Sequence, residues 1–146
     1  MIYYRNDVRR SGVDGRALVA IARRLLLAVG EDSAALSLSL VNDDAIRSLN
    51  REYRGKDAPT DVLSFPIGDG EISHERLLGD VVISVETARR QAAAYDAPVQ
   101  REIYRLLIHG LLHLKGHDHG VPQERRAMRR EERRLADAIA LPWPYR

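Results

Sequence analysis

Eleven residues, HGLLHLKGHDH from His109 to His119, restrict the shape of this chain more than any other segment. If residues 98 to 115 form a helix, His109 and His113 lie one turn apart on the same face, and both imidazoles reach one point in space. Gly116 then gives the chain a place to turn, because a glycine just past a helix adopts the left-handed conformation that other residues resist. The turn offers His119 as a third ligand. Set among Ile108, Leu111, Leu112 and Leu114, three separate neutral imidazoles would each need a hydrogen-bond partner in apolar surroundings. A shared metal ion removes that difficulty, so the spacing predicts a metal site at His109, His113 and His119, carried on a helix that runs through the core.

The rest of the chain sets the frame for that helix. With 146 residues it falls within the size of one domain, and residues 1–146 are read as a single domain with one core. There is no cysteine, which excludes disulfides and thiolate ligands and leaves imidazole, carboxylate or water to hold a metal. The start MIYYRNDVRR has no apolar run behind its charges, and the apolar stretch from Leu106 to Leu114 is too short and too rich in histidine to span a bilayer. A cytoplasmic protein is the expectation. The charge excess is mild, 23 basic against 21 acidic residues. Its distribution is uneven, however, with arginines gathered in the first thirty residues and again in QERRAMRREERR from 123 to 134. Basic surface attracts phosphate backbones, although Glu124, Glu131 and Glu132 are also spaced to pair with neighbouring arginines.

Periodicity supplies the elements. Ile2 to Arg5 reads as a strand, and 14–29 as a helix with Leu18, Ile21, Leu25 and Leu26 on one face. Leu36, Leu38 and Leu40 alternate with serines as in a half-buried strand. A second helix starts at Asn42 or Asp43, turns Ile46, Leu49 and Tyr53 inward and stops at Gly55, before the loop GKDAPT. Strands return at 61–65, stopped by Pro66, and at 80–85, across a polar connection. Helices follow at 86–95, after Pro98, and from 122 to about 140. Strands early and helices late predict an α+β fold with one roughly four-stranded mixed sheet packed against about five helices.

Three neutral protein ligands leave one position of a tetrahedral zinc for water, the arrangement of a catalytic site. Such an ion activates water and polarises a carbonyl or phosphoryl oxygen, so peptide and phosphodiester bonds are both possible targets. The residue after the first histidine separates them. Zinc proteases carry HExxH, with the glutamate as general base, and the longer form HExxHxxGxxH otherwise matches this segment. Here that position is Gly110, which neither takes nor delivers a proton.

The segment resembles the signature HGxLHLxGxDH of the YbeY family of bacterial endoribonucleases, matched by His109, Gly110, Leu112, His113, Leu114, Gly116, Asp118 and His119. The likeness extends to LNREYRGKDAPTDVLSF (49–65) and LGDVVIS (78–84), and is weak in the first forty residues and the arginine-rich tail. This resemblance implies a single-strand-specific endoribonuclease holding one Zn2+ per chain on the three histidines. It further implies a part in maturing the 3′ end of the small-subunit ribosomal RNA and in ribosome quality control, with the ribosomal small subunit as partner. Arg54 matches the family's cleft arginine, and a guanidinium there holds a phosphate bidentately and stabilises charge developing on it. Lys56 is a weaker contact to RNA. His117 stands where many members carry tyrosine.

The neighbours have plainer readings beside the functional ones. Asp118 either orients a ligand histidine or bonds local amides. Asp80 begins a strand, His74 lies on the surface, and Trp143 and Tyr145 either stack on bases or dock the tail. Two other functions compete with the nuclease: a metallopeptidase lacking its usual base, and a non-catalytic ribosome-binding protein with structural zinc.

Overall fold

The computed structural model describes residues 1–67, 71–72 and 75–142, and His74, Trp143 and Tyr145 lie outside the described residues. The chain begins with β1 (Ile2–Asn6), α1 (Gly15–Ala28), β2 (Ala35–Val41), α2 (Asp43–Arg54) and β3 (Val62–Pro66). It continues with the two-residue β4 (Glu71–Ile72), β5 (Glu75–Ser84), α3 (Val85–Ala93), α4 (Val99–Leu114) and α5 (Pro122–Ala138). The main sheet has the order β1-β2-β5-β3. β1 and β2 are parallel, as are β2 and β5, whereas β3 runs antiparallel to β5. The α+β fold with a four-stranded mixed sheet and five helices follows the expectation. The strand read at 80–85 begins earlier, at Glu75, because its first residues pair with β4 across the polar connection.

Alternation along the strands gives the sheet two covered faces. Leu36, Leu38, Leu40, Val81 and Ile83 join Leu18 and Leu25 of α1, the apolar residues of α4, and Met128 and Leu135 of α5 in the main core. On the opposite face Val82 and Leu63 meet Val41 and Ile46, a smaller core beneath α2. Burying each large aliphatic side chain contributes about 1.5–3 kcal/mol. The largest share therefore lies along α4, where Ile103, Leu106, Leu107, Ile108 and Leu111 are all essentially inaccessible.

Side chains cap the starts of three helices, among them Asn42, which the sequence marks as a cap. The Asp14 carboxylate accepts from Ala17 N, the Asn42 side chain from Ala45 N and the Ser84 hydroxyl from Thr87 N. One inward assignment is corrected. Tyr53 is 60% exposed, and Asn50 takes the buried position in its place. The Tyr53 ring packs edge-on against Phe65 at 5.3 Å, covering an aromatic at the sheet margin instead of entering the core.

Candidate metal centre

α4 is held on nearly all sides by apolar contacts, so its one partly open face is fixed in direction. That face carries His109 and His113, both half-buried. The helix closes with the two backbone bonds of a Schellman turn: Gly116 N–H donates to the His113 carbonyl at 3.0 Å and His117 N–H to the Leu112 carbonyl at 3.0 Å. Gly116 makes this possible with φ of 91°. The turn swings the exposed His119 back over the helix. One ring nitrogen from each of His109, His113 and His119 then lies within 4.8 Å of the others.

Those three residues can hold a metal ion. The Nε2 atoms of His109 and His113 face each other at 3.1 Å. Two nitrogens bound tetrahedrally at the usual zinc distance stand roughly 3.3 Å apart. The donor set suits a borderline cation that prefers imidazole. Burial, followed by the proximity of His109 and His119, pushes the His113 imidazole below its ordinary value, towards the proton-free form that ligates.

Two contacts of the histidine helix are not apparent from the sequence. The spacing of Glu132 predicts a pairing with arginines. Instead it is buried on the inner face of α5, 8% exposed, with Oε2 3.4 Å from His109 Nδ1. A signal for this is present, because Glu132 lies one turn from Met128 and from Leu135 on the apolar stripe of its helix. A carboxylate on such a stripe needs a buried partner. The second is Ser64 of β3, also buried, whose hydroxyl donates to the Gly110 carbonyl of α4 at 2.8 Å.

Gly110 itself faces the sheet and is buried. A Cβ there would stand 2.9 Å from Val81 Cγ1, 3.0 Å from Ser64 Oγ and 3.2 Å from Val62 Cγ2. This position therefore has no room for the glutamate of HExxH, and the glycine is what lets α4 lie against β3 and β5.

Arg54 occupies the last turn of α2. Its Nη2 donates to the Ser64 carbonyl at 2.9 Å, and its guanidinium lies 5.9 Å from the Phe65 ring centre. Ser64 thus touches both the arginine and the histidine helix. The loop after α2 is tied down by Asn50, whose Nδ2 donates to the Ala58 carbonyl at 2.8 Å, and by the Arg47–Asp57 ion pair at 2.8 Å. A cleft of about 780 Å³ opens between these elements, lined by His109, His113, His119, Arg54, Lys56 and Asn50 among others.

Asp118 also lines the cleft, and its Oδ1 accepts from His119 N at 2.7 Å, the local amide bond of the plainer reading. Asp80 sits within β5, paired with Ser37 and Phe65.

A family model described as "Endoribonuclease YbeY" matches residues 5–140. Among curated relatives, an "Endoribonuclease YbeY" of Carboxydothermus hydrogenoformans is 46% identical over 131 residues, covering 88% of this chain and 90% of that protein. Another of that name, from an Anaeromyxobacter species, is 51% identical over 126 residues, covering 86% of this chain and 65% of the relative. A solution structure of a Thermotoga maritima protein shares the fold, with a TM-score of 0.60 at 23% identity over 96% of this chain and 92% of that one.

Proposed function

The chain belongs to the YbeY family of endoribonucleases, and on that premise we propose that it is a zinc-dependent, single-strand-specific endoribonuclease. Its substrate in this reading is ribosomal RNA, trimmed at the 3′ end of the small-subunit RNA in the cytoplasm, with a part in ribosome quality control. The observation that carries the reading is one cleft walled on one side by three clustered imidazoles and on the other by Arg54.

His109, His113 and His119 are the residues that would hold the ion. When bound, zinc supplies Lewis acidity, polarising a phosphoryl oxygen and making water nucleophilic near neutral pH. The chain's own groups do the rest. Glu132 Oε2, 3.4 Å from His109 Nδ1, is placed to accept a proton from it, which would leave Nε2 for the ion and fix the ring's direction. Arg54 presents paired N–H donors to a phosphate, positioning it and stabilising negative charge as it develops. The Ser64 carbonyl holds the guanidinium against the cleft wall at 2.9 Å.

A peptidase finds less support, since the position that carries its base is packed against the sheet. Labelled single-stranded RNA, a duplex of the same sequence and casein, each incubated with the metal-loaded protein, test the reading. Cleavage of the single strand alone is the predicted result. Casein hydrolysis, or equal cleavage of the duplex, would contradict it.

A further inference from the structure

The arginine-rich run is the one strong sequence feature that the cleft does not use, and the fold divides it into two faces. Met128, Glu132, Leu135 and Ala136 turn inward from α5. Arg126, Arg129, Arg130 and Arg133 follow the spacing i, i+3, i+4, i+7, which sets them along a single stripe. All four are exposed, and together they line a shallow depression of about 220 Å³ to which no other described residue contributes.

This stripe differs from an ordinary solvated face in its charge partners. Elsewhere on α5, Arg134 pairs with Glu131 at 2.7 Å and reaches back to the Ala28 carbonyl at 3.1 Å. Glu132 is committed to His109. Among the described residues no ion pair joins Arg126, Arg129, Arg130 or Arg133 to any acid. Like charges one turn apart repel. On α5 the nearest relief is the field of Glu131, which Arg134 already pairs and which reaches Arg130 without forming an ion pair with it, so an added anion on the stripe is favoured. Convergent guanidiniums suit phosphate oxygens in particular, because their planar donors match that geometry.

We propose that Arg126, Arg129, Arg130 and Arg133 form a second RNA-contacting surface, a rail for the phosphate backbone of a long single strand that lies outside the cleft. This rests on the nuclease reading and deepens it: the cleft handles the scissile phosphate, and the α5 rail holds sequence-independent backbone elsewhere on the same strand. Selection of long single strands over short oligonucleotides follows from having two separated phosphate sites.

The test compares the zinc-loaded wild type with the variant Arg126→Gln/Arg129→Gln/Arg130→Gln/Arg133→Gln. Glutamine matches arginine in helix propensity, so α5 is retained. The pair Arg130→Gln/Arg133→Gln serves if the fourfold change does not fold. Binding of a long single-stranded RNA is measured across a salt series, and turnover is measured on that RNA and on a dinucleotide substrate. The fourfold variant should bind the long RNA at least about tenfold more weakly at low salt. Its log K against log salt slope should be shallower by about 0.7 for each phosphate that the variant no longer neutralises. KM for the long RNA should rise, with dinucleotide turnover unchanged. An unchanged slope and affinity in a variant that cleaves normally would overturn the rail alone and leave the stripe to an acidic protein surface. A wild type that fails to bind RNA at any salt would overturn the rail and the nuclease reading together.

Discussion

At the residue scale the site depends on which neighbour each histidine has. The clustering of the three histidines is legible from spacing, because helical geometry fixes where His109 and His113 point and the glycine at 116 marks the turn that returns His119. Glu132 is not, since its contact with His109 joins two helices through a loop whose path no local pattern dictates. Replacing Glu132 by alanine is predicted to weaken metal binding about 10–100-fold, with glutamine intermediate, as measured by chelator competition. Equal affinities in all three proteins would reduce the contact to packing. Gly110 offers a second test at this scale. On helix propensity alone, Gly110→Ala would stabilise α4 by about 1 kcal/mol. The contacts at 2.9–3.2 Å from Val81, Ser64 and Val62 reverse that sign. A loss of about 1–2 kcal/mol in denaturant unfolding is expected from overpacking, and a gain would show that β3 and β5 yield at no cost.

Among elements, the junction of α2, β5 and α3 carries a charge at its centre. Burial alone would push the Asp43 carboxyl up. Hydrogen bonds from Ser84 at 2.6 Å, Thr87 at 2.7 Å and Arg90 at 2.8 Å outweigh it and hold the group below its ordinary 3.8. The Glu86 carboxylate returns the link by accepting from Asp43 N at 2.7 Å. A carboxyl depressed in the folded state stabilises fully above its unfolded pKa and loses that contribution as pH falls through the folded value. The wild type should therefore lose stability faster than Asp43→Asn below about pH 4, while the variant is weaker at neutral pH by about 1–3 kcal/mol. Parallel stability curves through the acid range would contradict this. The elements themselves are legible where periodicity and boundary residues agree, as in α2, capped by Asn42 and ended at Gly55. Tyr53 departs from its expected place because helical spacing marks a face without showing where the covering sheet ends.

For the whole molecule, the order of elements brings three distant segments to one cleft. α2 delivers Arg54, α4 and its turn deliver the histidines, and α5 folds back to place Glu132 behind them. Ser64, in the strand between, binds the arginine through its carbonyl and α4 through its hydroxyl. That convergence is long-range, and single-sequence patterns mark the segments without their meeting point. The central claim is that metal and arginine act on one phosphodiester. It is tested most directly by elemental analysis of the purified protein, followed by cleavage of labelled single-stranded RNA with wild type and Arg54→Ala, before chelation, after it and after zinc is restored. About one zinc per chain, with cleavage that disappears on chelation, returns with zinc and is lost in a stably folded Arg54→Ala, is the predicted result. RNA left intact by the zinc-loaded wild type, or cleaved equally well without zinc or without Arg54, would contradict it.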